Sequence, residues 1–304
     1  MTDFSSGHCS ENNPPSHDKN RRFPQWLKRP VAFSGKQSKV ESLLQQCSLN
    51  TVCSEAKCPN RGECFNQGTA TFLIMGNVCT RNCAFCAVAH GKPSKPLSDE
   101  GRRIAHAVAE LQLKHVVITS VTRDDLHDGG ASCFADVVNE ISKRDPAVSV
   151  EVLIPDFSGN ESALEIVVSS RPQIINHNVE TVPRLYSRVR PDSDYDRSLH
   201  LLCSAKKAGE GVATKSGIMV GLGEREEEVR EVMTDLHAAG CSIVTIGQYL
   251  RPSRFQLRVE EFVSPQQFRR YEEIGREVGL AQVFSDPYVR SSYRAAEGAA
   301  GLLK

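Results

Sequence analysis

Apolar residues follow two alternating patterns from about residue 69 onward. Short runs of apolar and β-branched residues are typical of strands buried on both faces of a parallel sheet. Longer segments repeat an apolar residue every three or four positions and predict amphipathic helices. The strands are predicted at 71–76, 116–121, 148–154, 173–176, 215–221 and 243–247. The helices between and after them are predicted at 99–113, 131–143, 162–169, 194–208, 224–239 and 265–278.

Six strand–helix units in succession predict an α/β fold with a parallel sheet, either a barrel or an open doubly wound sheet. Before them, residues 23–68 show little periodicity apart from a short helix predicted at 40–47. Residues 1–22 are polar and contain several Ser, Asn and Pro residues, which predicts a disordered tail.

The charge of the chain is balanced, with 37 Lys and Arg against 37 Asp and Glu. This balance predicts neither a nucleic acid nor an acidic surface as a partner. The first residues contain no apolar stretch of a secretory signal, and no apolar run approaches the length of a membrane span. We therefore expect a cytoplasmic protein with no membrane partner, whose thiols are free or metal-bound.

Three cysteines, Cys79, Cys83 and Cys86, share the run CTRNCAFC, with Phe85 before the last of them. Three thiolates can hold three corners of an iron–sulfur cube and leave one iron open to a small molecule. The same cysteines with His90 would also satisfy the donor set of a Cys3His zinc site. The run alone leaves both alternatives open.

A second set, Cys53, Cys58 and Cys64, precedes the first and is also one ligand short of four. Its gaps are wider than the first knuckle of a zinc finger. Two incomplete sets so close together favour metal centres over packing. Five further cysteines lie outside both sets: Cys9 in the polar tail, and Cys47, Cys133, Cys203 and Cys241, which we expect to be small buried residues.

The run 79–86 resembles the signature of the radical S-adenosylmethionine (SAM) enzymes. Together with the set at 53–64 and several later blocks, it resembles the lipoyl synthase family from about residue 40 to 297. The later blocks are TSVTRDDLHDGGA (119–131), INHNVETV (175–182), GIMVGLGE (217–224), TIGQYLRPS (245–253) and RSSY (290–293).

The resemblance implies a partial (β/α)6 TIM-like barrel of the radical SAM type over residues 69–285. It implies an N-terminal extension, 23–68, that carries an auxiliary iron–sulfur cluster, and a C-terminal segment, 286–304, with the RSSY motif. The motif blocks follow predicted strands, and active sites of β/α barrels lie at the carboxyl ends of the strands.

Two [4Fe–4S] clusters and SAM are the cofactors that the resemblance implies. Cys79, Cys83 and Cys86 would bind the cluster that cleaves SAM to a 5′-deoxyadenosyl radical. The auxiliary cluster would supply sulfur, with Ser292 as its fourth ligand and Ser291 as the second choice. Its other ligands would be Cys53, Cys58 and Cys64.

Four more residues are expected near the cofactor: Phe85, Thr119, Asn178 and Glu180. Asn178 and Glu180 alternate to one side of a predicted extended strand and would contact the SAM ribose or carboxylate region. The resemblance implies that the block after Thr119 binds the SAM methionine group by its backbone, with a polar turn as the alternative. Four arginines would either clamp a carboxylate or lie on the surface: Arg188, Arg190, Arg251 and Arg254.

The implied activity is that of a sulfurtransferase, which inserts two sulfur atoms at C6 and C8 of a protein-bound octanoyl group. General acid–base catalysis is excluded because no side chain can deprotonate an unactivated C–H bond near neutral pH. The implied partners are octanoylated lipoyl-carrier domains (E2 subunits and the glycine cleavage H protein), an electron donor such as flavodoxin or ferredoxin, and an iron–sulfur carrier for cluster repair. The alternatives are another radical SAM sulfur-inserting enzyme or a zinc-stapled binding module.

Overall fold

The computed structural model describes residues 23–29, 35–209 and 211–302. The chain divides into two compact units at residue 30. In the first unit, the described residues contain one turn of 3-10 helix, Gln25–Leu27. The tail predicted at 1–22, with Cys9, lies outside the described residues. All strands and α-helices named below belong to the second unit.

Every one of the six predicted strands is present, with each end within two residues of the predicted one. The strands of the second unit, in chain order, are β1 (Asn50–Thr51), β2 (Thr71–Ile74), β3 (Val78–Cys79), β4 (Ala89–His90), β5 (His115–Ser120), β6 (Ser149–Leu153), β7 (Ile174–Asn176), β8 (Ala213–Val220), β9 (Ile243–Gln248) and β10 (Gln282–Ser285).

One sheet contains eight of these strands in the order β1-β2-β5-β6-β7-β8-β9-β10. All neighbours from β2 to β10 are parallel, and β1 is antiparallel to β2. Within the described residues β10 does not pair with β1, so the barrel is open. The expectation of a partial (β/α)6 barrel is confirmed, with β10 as an additional parallel strand.

Helices connect the parallel strands, and those predicted between the strands are all present. Side-chain oxygens of Asn160, Asp194 and Ser264 accept a hydrogen bond from a backbone N–H in the first turn of α6, α8 and α10, respectively. The helices are α1 (Gly35–Gln46), α2 (Val52–Glu55), α3 (Arg61–Asn66), α4 (Glu100–Glu110), α5 (Ala131–Arg144), α6 (Glu161–Ser169), α7 (Tyr186–Val189), α8 (Tyr195–Ala208), α9 (Glu226–Ala238), α10 (Pro265–Glu277) and α11 (Ala295–Leu302). None of these described helices combines the length and apolar character of a membrane span.

The N-terminal extension is more regular than the sequence predicts. The helix predicted at 40–47 begins at residue 35, and two short helices, α2 and α3, follow it. Both are too short for a helical periodicity to be visible in the sequence. The Thr51 hydroxyl accepts a hydrogen bond from the Ser54 amide at 3.3 Å and so fixes the start of α2.

The concave side of the open barrel contains a buried ion pair. Val150 and Val152 of β6 pack in the core on the helix side, so Glu151 between them faces the concave side. Its carboxylate accepts hydrogen bonds from Lys215 Nζ at 3.0 and 3.1 Å and from Asn176 Nδ2 at 2.8 Å. Burial opposes ionisation of Glu151, but the charge of Lys215 lowers its pKa. The carboxylate is therefore an anion held by partners on β7 and β8.

The C-terminal segment, here residues 286–294, follows β10 and crosses the carboxyl end of the sheet. Its path depends on small residues, since a Cβ on Gly247 would lie 2.1 Å from the Val289 carbonyl oxygen. A Cβ on Gly217 would lie 3.2 Å from the Ser291 hydroxyl. After this segment, α11 places Ala299 in a small apolar cluster with Ile174, Ala213 and Ile243.

We expect Gly247→Ala to destabilise the fold because the new Cβ meets a backbone atom, which cannot rotate away. The free energy of unfolding, measured by urea denaturation, should fall by about 1–3 kcal/mol. The control is Gly62→Ala, because Gly62 lies in α3 and has no atom within 4 Å of a built Cβ. Removing a helical glycine should leave stability equal or higher by up to about 1 kcal/mol. Equal urea midpoints for Gly247→Ala and the parent chain would contradict the described packing.

Candidate metal centres

The first cysteine set lies in the loop after β2, at the carboxyl edge of the sheet. Here β3 pairs with β4, and the Gly91 amide donates to the Cys79 carbonyl at 2.9 Å. The Thr122 amide, beyond the end of β5, donates to Cys79 Sγ at 3.2 Å. This edge is where ligands bind in β/α barrels.

Arg81 anchors the cluster loop, defined here as residues 79–86, to the strand ends beside it. Its guanidinium donates to Asp124 at 2.7 and 2.9 Å, to Asp156 at 2.6 Å and to the Ser158 hydroxyl at 3.1 Å. The Arg81 side chain is 6% exposed and that of Asp156 is fully buried. Bidentate contacts of this kind fix orientation as well as distance.

Backbone hydrogen bonds hold the other end of the loop. The Ala84 amide donates to the Val189 carbonyl at 3.0 Å, and the Ala84 carbonyl accepts from the Leu257 amide at 3.1 Å. Gln256 Nε2 donates to the Cys86 carbonyl at 3.2 Å. Phe85 packs against the apolar cluster that contains buried residues of β8, β9, α9 and α10. The cysteines are therefore held in position by the protein itself.

Neither three-cysteine set is grouped as the donors of a single metal ion are. A tetrahedral zinc site needs donors roughly 3.8 Å apart, because Zn–S bonds are about 2.3 Å. Among the described residues, no three His, Cys, Asp or Glu side chains are grouped for one metal ion, and His90 is exposed. In an iron–sulfur cube each thiolate binds a different iron, so its ligands lie farther apart than those of a single ion. The geometry disfavours the zinc alternative.

The sulfurs of the first set are close enough to influence one another. The pKa of Cys86 is raised to about 12, mainly by burial and to a smaller extent by Cys83 and Cys79. Burial also raises the pKa of Cys83, while the Arg190 guanidinium opposes this shift. Thiols in such surroundings bind as thiolates only when a cation replaces the proton, as iron does.

A polar group next to the first set comes from the loop after β7. Asn178 Nδ2 donates to Glu180 Oε1 at 3.0 Å, and Arg190 Nη1 donates to the Asn178 carbonyl at 2.8 Å. Burial raises the pKa of Glu180, which Arg190 opposes. Arg190 Nε is buried and has no hydrogen-bond partner among the described residues. It is a donor available to a ligand.

Asn178 and Glu180 do share one side, but the extended strand predicted there is wrong. Strand β7 ends at Asn176, and Glu180 has a left-handed backbone with φ of 67°. The Glu180 amide donates to the Gly217 carbonyl at 2.9 Å, and its carbonyl accepts from the Met219 amide at 2.8 Å. These two bonds to β8 hold Glu180 in the left-handed region of backbone conformation, which residues of an extended strand do not occupy.

The second set occupies the two short helices of the extension. Cys53 is in α2, Cys64 is in α3, and Cys58 lies between them. Burial raises the pKa of Cys53 to about 11 and that of Cys64 to about 12, with smaller contributions from neighbouring cysteines of the same set. The three thiols thus share one partly buried site.

Hydrogen bonds attach the C-terminal segment to this second set. Tyr293 OH donates to Glu63 Oε1 at 2.7 Å, next to Cys64, and Asn60 Nδ2 donates to the Tyr288 carbonyl at 2.7 Å. Within the same segment Ser291 Oγ donates to Asn178 Oδ1 at 2.8 Å, beside the first set.

Several residues of the motif blocks stabilise loops. Asp125 accepts two hydrogen bonds from Arg123 at 2.8 Å, and Asp128 accepts from the Gly130 and Ser132 amides. Thr119 Oγ1 donates to the Leu153 carbonyl at 3.0 Å. In GLGE, the Glu224 carboxylate accepts from the amides of Gly221 and Leu222, and a Cβ on Gly221 would meet Gln248 and the Glu261 carbonyl. Gly221 therefore allows the close approach of a neighbouring loop.

The four arginines considered as a carboxylate clamp are not brought together as one. Arg190 is buried beside Cys83, whereas Arg188 is half-exposed and pairs with Glu260 at 2.8 Å. Arg251 donates to carbonyl oxygens of its own loop, at Arg254 and Gln256. Sequence spacing could not separate them, because Arg188 and Arg190 are only two residues apart in one segment and still differ in burial.

The prediction of buried cysteines outside the two sets is wrong in three of four cases. Cys241 is buried, but Cys47, Cys133 and Cys203 are partly exposed. These three touch the core from its edges, so their contact with apolar residues does not cover them fully.

Comparison with known proteins agrees with this geometry. The family model of the radical SAM superfamily matches residues 73–236, more than half of the chain. A lipoyl synthase of Caldanaerobacter subterraneus subsp. tengcongensis is 58% identical over 91% of this chain and 97% of its own. One of Nitratidesulfovibrio vulgaris is 53% identical over 93% of this chain and 94% of its own. This chain belongs to the lipoyl synthase family. Like other members, it is therefore a radical SAM sulfurtransferase that uses SAM and [4Fe–4S] clusters.

Two solved structures share the fold of this lipoyl synthase family member. The match to methylornithine synthase covers 85% of this chain and 84% of that protein's chain, with a TM-score of 0.52 and 14% identity. The match to HydG, a maturase of the [FeFe]-hydrogenase, covers 70% of this chain and 55% of that protein's chain, with a TM-score of 0.55 and 17% identity. These likenesses concern the fold alone.

We expect Arg81→Leu to destabilise the chain because it leaves the buried carboxylate of Asp156 without its closest cation. Near pH 7 the free energy of unfolding should fall by about 3 kcal/mol, the scale of a broken buried ion pair. Burial disfavours ionisation of Asp156 and Asp124, but the guanidinium lowers the pKa of both. Such carboxylates stabilise the fold above their unfolded pKa of about 3.9, and this is lost as pH falls through the lower folded pKa. The deficit should therefore shrink below about pH 4.

Urea denaturation at several pH values measures this deficit. The control is Arg188→Leu, which breaks the exposed pair with Glu260 and should cost less than about 1 kcal/mol at any pH. Equal losses for Arg81→Leu and Arg188→Leu, or a deficit that grows on acidification, would contradict the anchoring role of Arg81.

Proposed function

We propose that this chain inserts two sulfur atoms, at C6 and C8, into an octanoyl group carried by a lipoyl domain. The observation that carries this proposal is the C-terminal segment, which contacts the surroundings of both three-cysteine sets. When bound, the clusters and SAM supply the radical chemistry and the sulfur that no side chain can provide at an unactivated C–H bond. The chain itself positions, charges and shields these groups.

Cys79, Cys83 and Cys86 would hold the first cluster on a loop that is fixed before the cluster binds. The support is the pair of anchors at its two ends, Arg81 at one and the bonds to Val189 and Leu257 at the other. A preformed loop reduces the ordering cost of binding. Arg190 places a positive charge beside Cys83 that favours its thiolate.

Asn178, Glu180 and Arg190 would bind the amino and carboxylate groups of SAM. The Glu180 carboxylate is an acceptor for an ammonium group, and the unpaired Nε of Arg190 is a donor for a carboxylate. Thr119 keeps only acceptor capacity, since its hydroxyl already donates to Leu153. Phe85 would act from the core side, by holding the loop between Cys83 and Cys86 in place.

Cys53, Cys58 and Cys64 would hold the auxiliary cluster, with Ser292 as the fourth ligand. Its neighbour Ser291 already donates to Asn178. The Ser292 hydroxyl makes no hydrogen bond within the described part of the chain, while Tyr293 next to it is bonded beside Cys64. These contacts favour Ser292 over Ser291 as the ligand.

Lipoyl domains are the protein substrates of this family. We extend the proposal to the octanoylated E2 subunits and glycine cleavage H protein, with a one-electron donor such as flavodoxin or ferredoxin. Each product would remove sulfur from the auxiliary cluster, and the first cysteine set would not return it. An iron–sulfur carrier would therefore rebuild the auxiliary cluster. The chain would act in the cytoplasm, where its thiols stay reduced.

The two cysteine sets should be separable by substitution. Cys83→Ala should abolish SAM cleavage, because the first cluster loses one of its three ligands. Cys58→Ala should retain SAM cleavage but form no sulfur-containing product. Each variant should hold about four irons where the parent chain holds about eight. The measurement is mass spectrometry of an octanoylated carrier peptide after anaerobic incubation with SAM and reductant.

Cys203→Ala is the matched control, since Cys203 lies on α8 outside both sets and should change neither iron content nor product. Lipoyl product from Cys58→Ala would refute the sulfur-donor assignment. A methylthio product from the parent chain would instead favour another sulfur-transferring radical SAM reaction.

The adjacent serines should differ in effect. Ser292→Ala removes the proposed oxygen ligand, so sulfur transfer should fall by at least about tenfold, as on loss of a group that supports a metal site. Ser291→Ala should keep the auxiliary iron and its spectrum while weakening SAM binding, through loss of the bond to Asn178. Iron content, cluster spectra and the Kd for SAM measure these effects. Normal sulfur transfer by Ser292→Ala would remove Ser292 from the ligand set.

A further inference from the structure

Two exposed segments are hydrogen-bonded to the backbone of the outer cysteines of the cluster loop. Residues 91–96 begin at Gly91, whose amide donates to the Cys79 carbonyl at 2.9 Å. Residues 251–258 include Gln256, whose Nε2 donates to the Cys86 carbonyl at 3.2 Å. We call these two segments together the basic rim. Each links the protein surface to a cluster ligand by a single hydrogen bond.

The basic rim concentrates positive charge in a chain whose formal net charge is zero. It contains no Asp or Glu. Its exposed cations are Lys92, Lys95, Arg251, Arg254 and Arg258. Arg188 and Glu260 lie outside it and neutralise each other at 2.8 Å. Each segment therefore places only positive charge beside one end of the cluster loop, which suits a partner with an acidic surface.

An exposed aromatic ring adds an apolar contact to the rim. Phe255 is 81% exposed, and the Arg254 guanidinium lies 5.0 Å from the centroid of its ring. The loop is ordered around it, since the Phe255 amide donates to the Ser253 hydroxyl at 3.3 Å and that hydroxyl donates to Gln256 Oε1 at 2.6 Å. Aromatic and arginine side chains held in this way are typical anchors of protein interfaces.

We propose that the basic rim is the docking surface for the protein that delivers electrons, a small carrier with an acidic face around its redox group. The inference rests on the proposed function, which requires one electron from outside for each SAM cleaved. The donor is oxidised by one electron and the resident cluster is reduced by one; no bond forms and no proton moves. Electron tunnelling weakens steeply with distance, and the rim gives a short bonded path from the surface to Cys79 and Cys86.

The octanoylated carrier has a different requirement. Its acyl chain has to reach the concave side, where Asn178 and Ser291 lie between the two cysteine sets. The rim contacts the cluster loop through the backbone carbonyls of Cys79, Ala84 and Cys86, which serves electron transfer and does not hold an acyl chain. Complexes for electron transfer bury little surface and depend on charge, which matches a few cations around one aromatic ring.

The test uses the loaded enzyme with Arg254→Glu and Arg258→Glu combined, and reduced flavodoxin as the probe. The Kd for flavodoxin, measured by titration calorimetry, should weaken by about tenfold or more, and its salt dependence should flatten. SAM cleavage driven by flavodoxin should fall by a similar factor, whereas cleavage driven by dithionite should stay within about twofold. Phe255→Ala should weaken flavodoxin binding without changing its salt dependence.

The matched control is Lys143→Glu with Lys207→Glu, an equal change of charge at the carboxyl-terminal turns of α5 and α8. Those turns lead into β6 and β8, so they lie at the amino edge of the sheet, opposite the carboxyl edge that carries the cluster loop. This control should bind flavodoxin as the parent does. Unchanged flavodoxin binding by the rim variant, or an equal loss in the control, would overturn the proposal. So would an increased KM for the octanoylated carrier under dithionite with flavodoxin binding intact, which would assign the rim to the carrier. Absence of SAM cleavage by the parent chain with dithionite would refute the proposed function instead.

Discussion

The hydrogen bonds of Asn60 to the Tyr288 carbonyl and of Tyr293 to Glu63 join parts of the chain that are more than 220 residues apart. The placement of the C-terminal segment between the two cysteine sets depends on them, because the barrel is open and β10 does not pair with β1 in the described residues. Two hydrogen bonds contribute only about 1 kcal/mol each. They hold because the barrel core has already brought the ends close, so that little loop-closure entropy remains to be overcome.

The barrel itself could be predicted from the sequence to within a few residues. Its strands are short segments rich in apolar and β-branched residues, and each lies between helices with one apolar stripe. β10 was missed because Gln282–Ser285 is short and three of its four residues are only partly buried. The short helices α2 and α3 were missed because four or six residues are too few to show a helical repeat.

In the candidate site, too, the features of the local sequence could be predicted and the contacts between distant loops could not. The cysteine sets could be found because their spacing is local. Arg81 could not, since its partners Asp124 and Asp156 come from two other loops and no spacing relates them. In the TRDDLHDGGA block, the side chains of Asp124, Asp125 and Asp128 are all engaged by protein groups, and a contact of the block's backbone to SAM stays a prediction. An acidic run after a strand has the same sequence whether it binds a ligand or an arginine.

The different surroundings of Ser291 and Ser292 follow from backbone geometry. Consecutive residues of the turn at 291–294 direct their side chains differently, so one segment can contact two sites at once. Ser291 donates to Asn178, which in turn donates to Glu180 beside the first set. Tyr293 is fixed beside the second set. Ser292 lies between these two fixed points, and Gly217 leaves just enough space for the turn to pass. A shift of this segment by one residue would exchange the two serines, and the hydrogen bonds on either side of Ser292 oppose that shift.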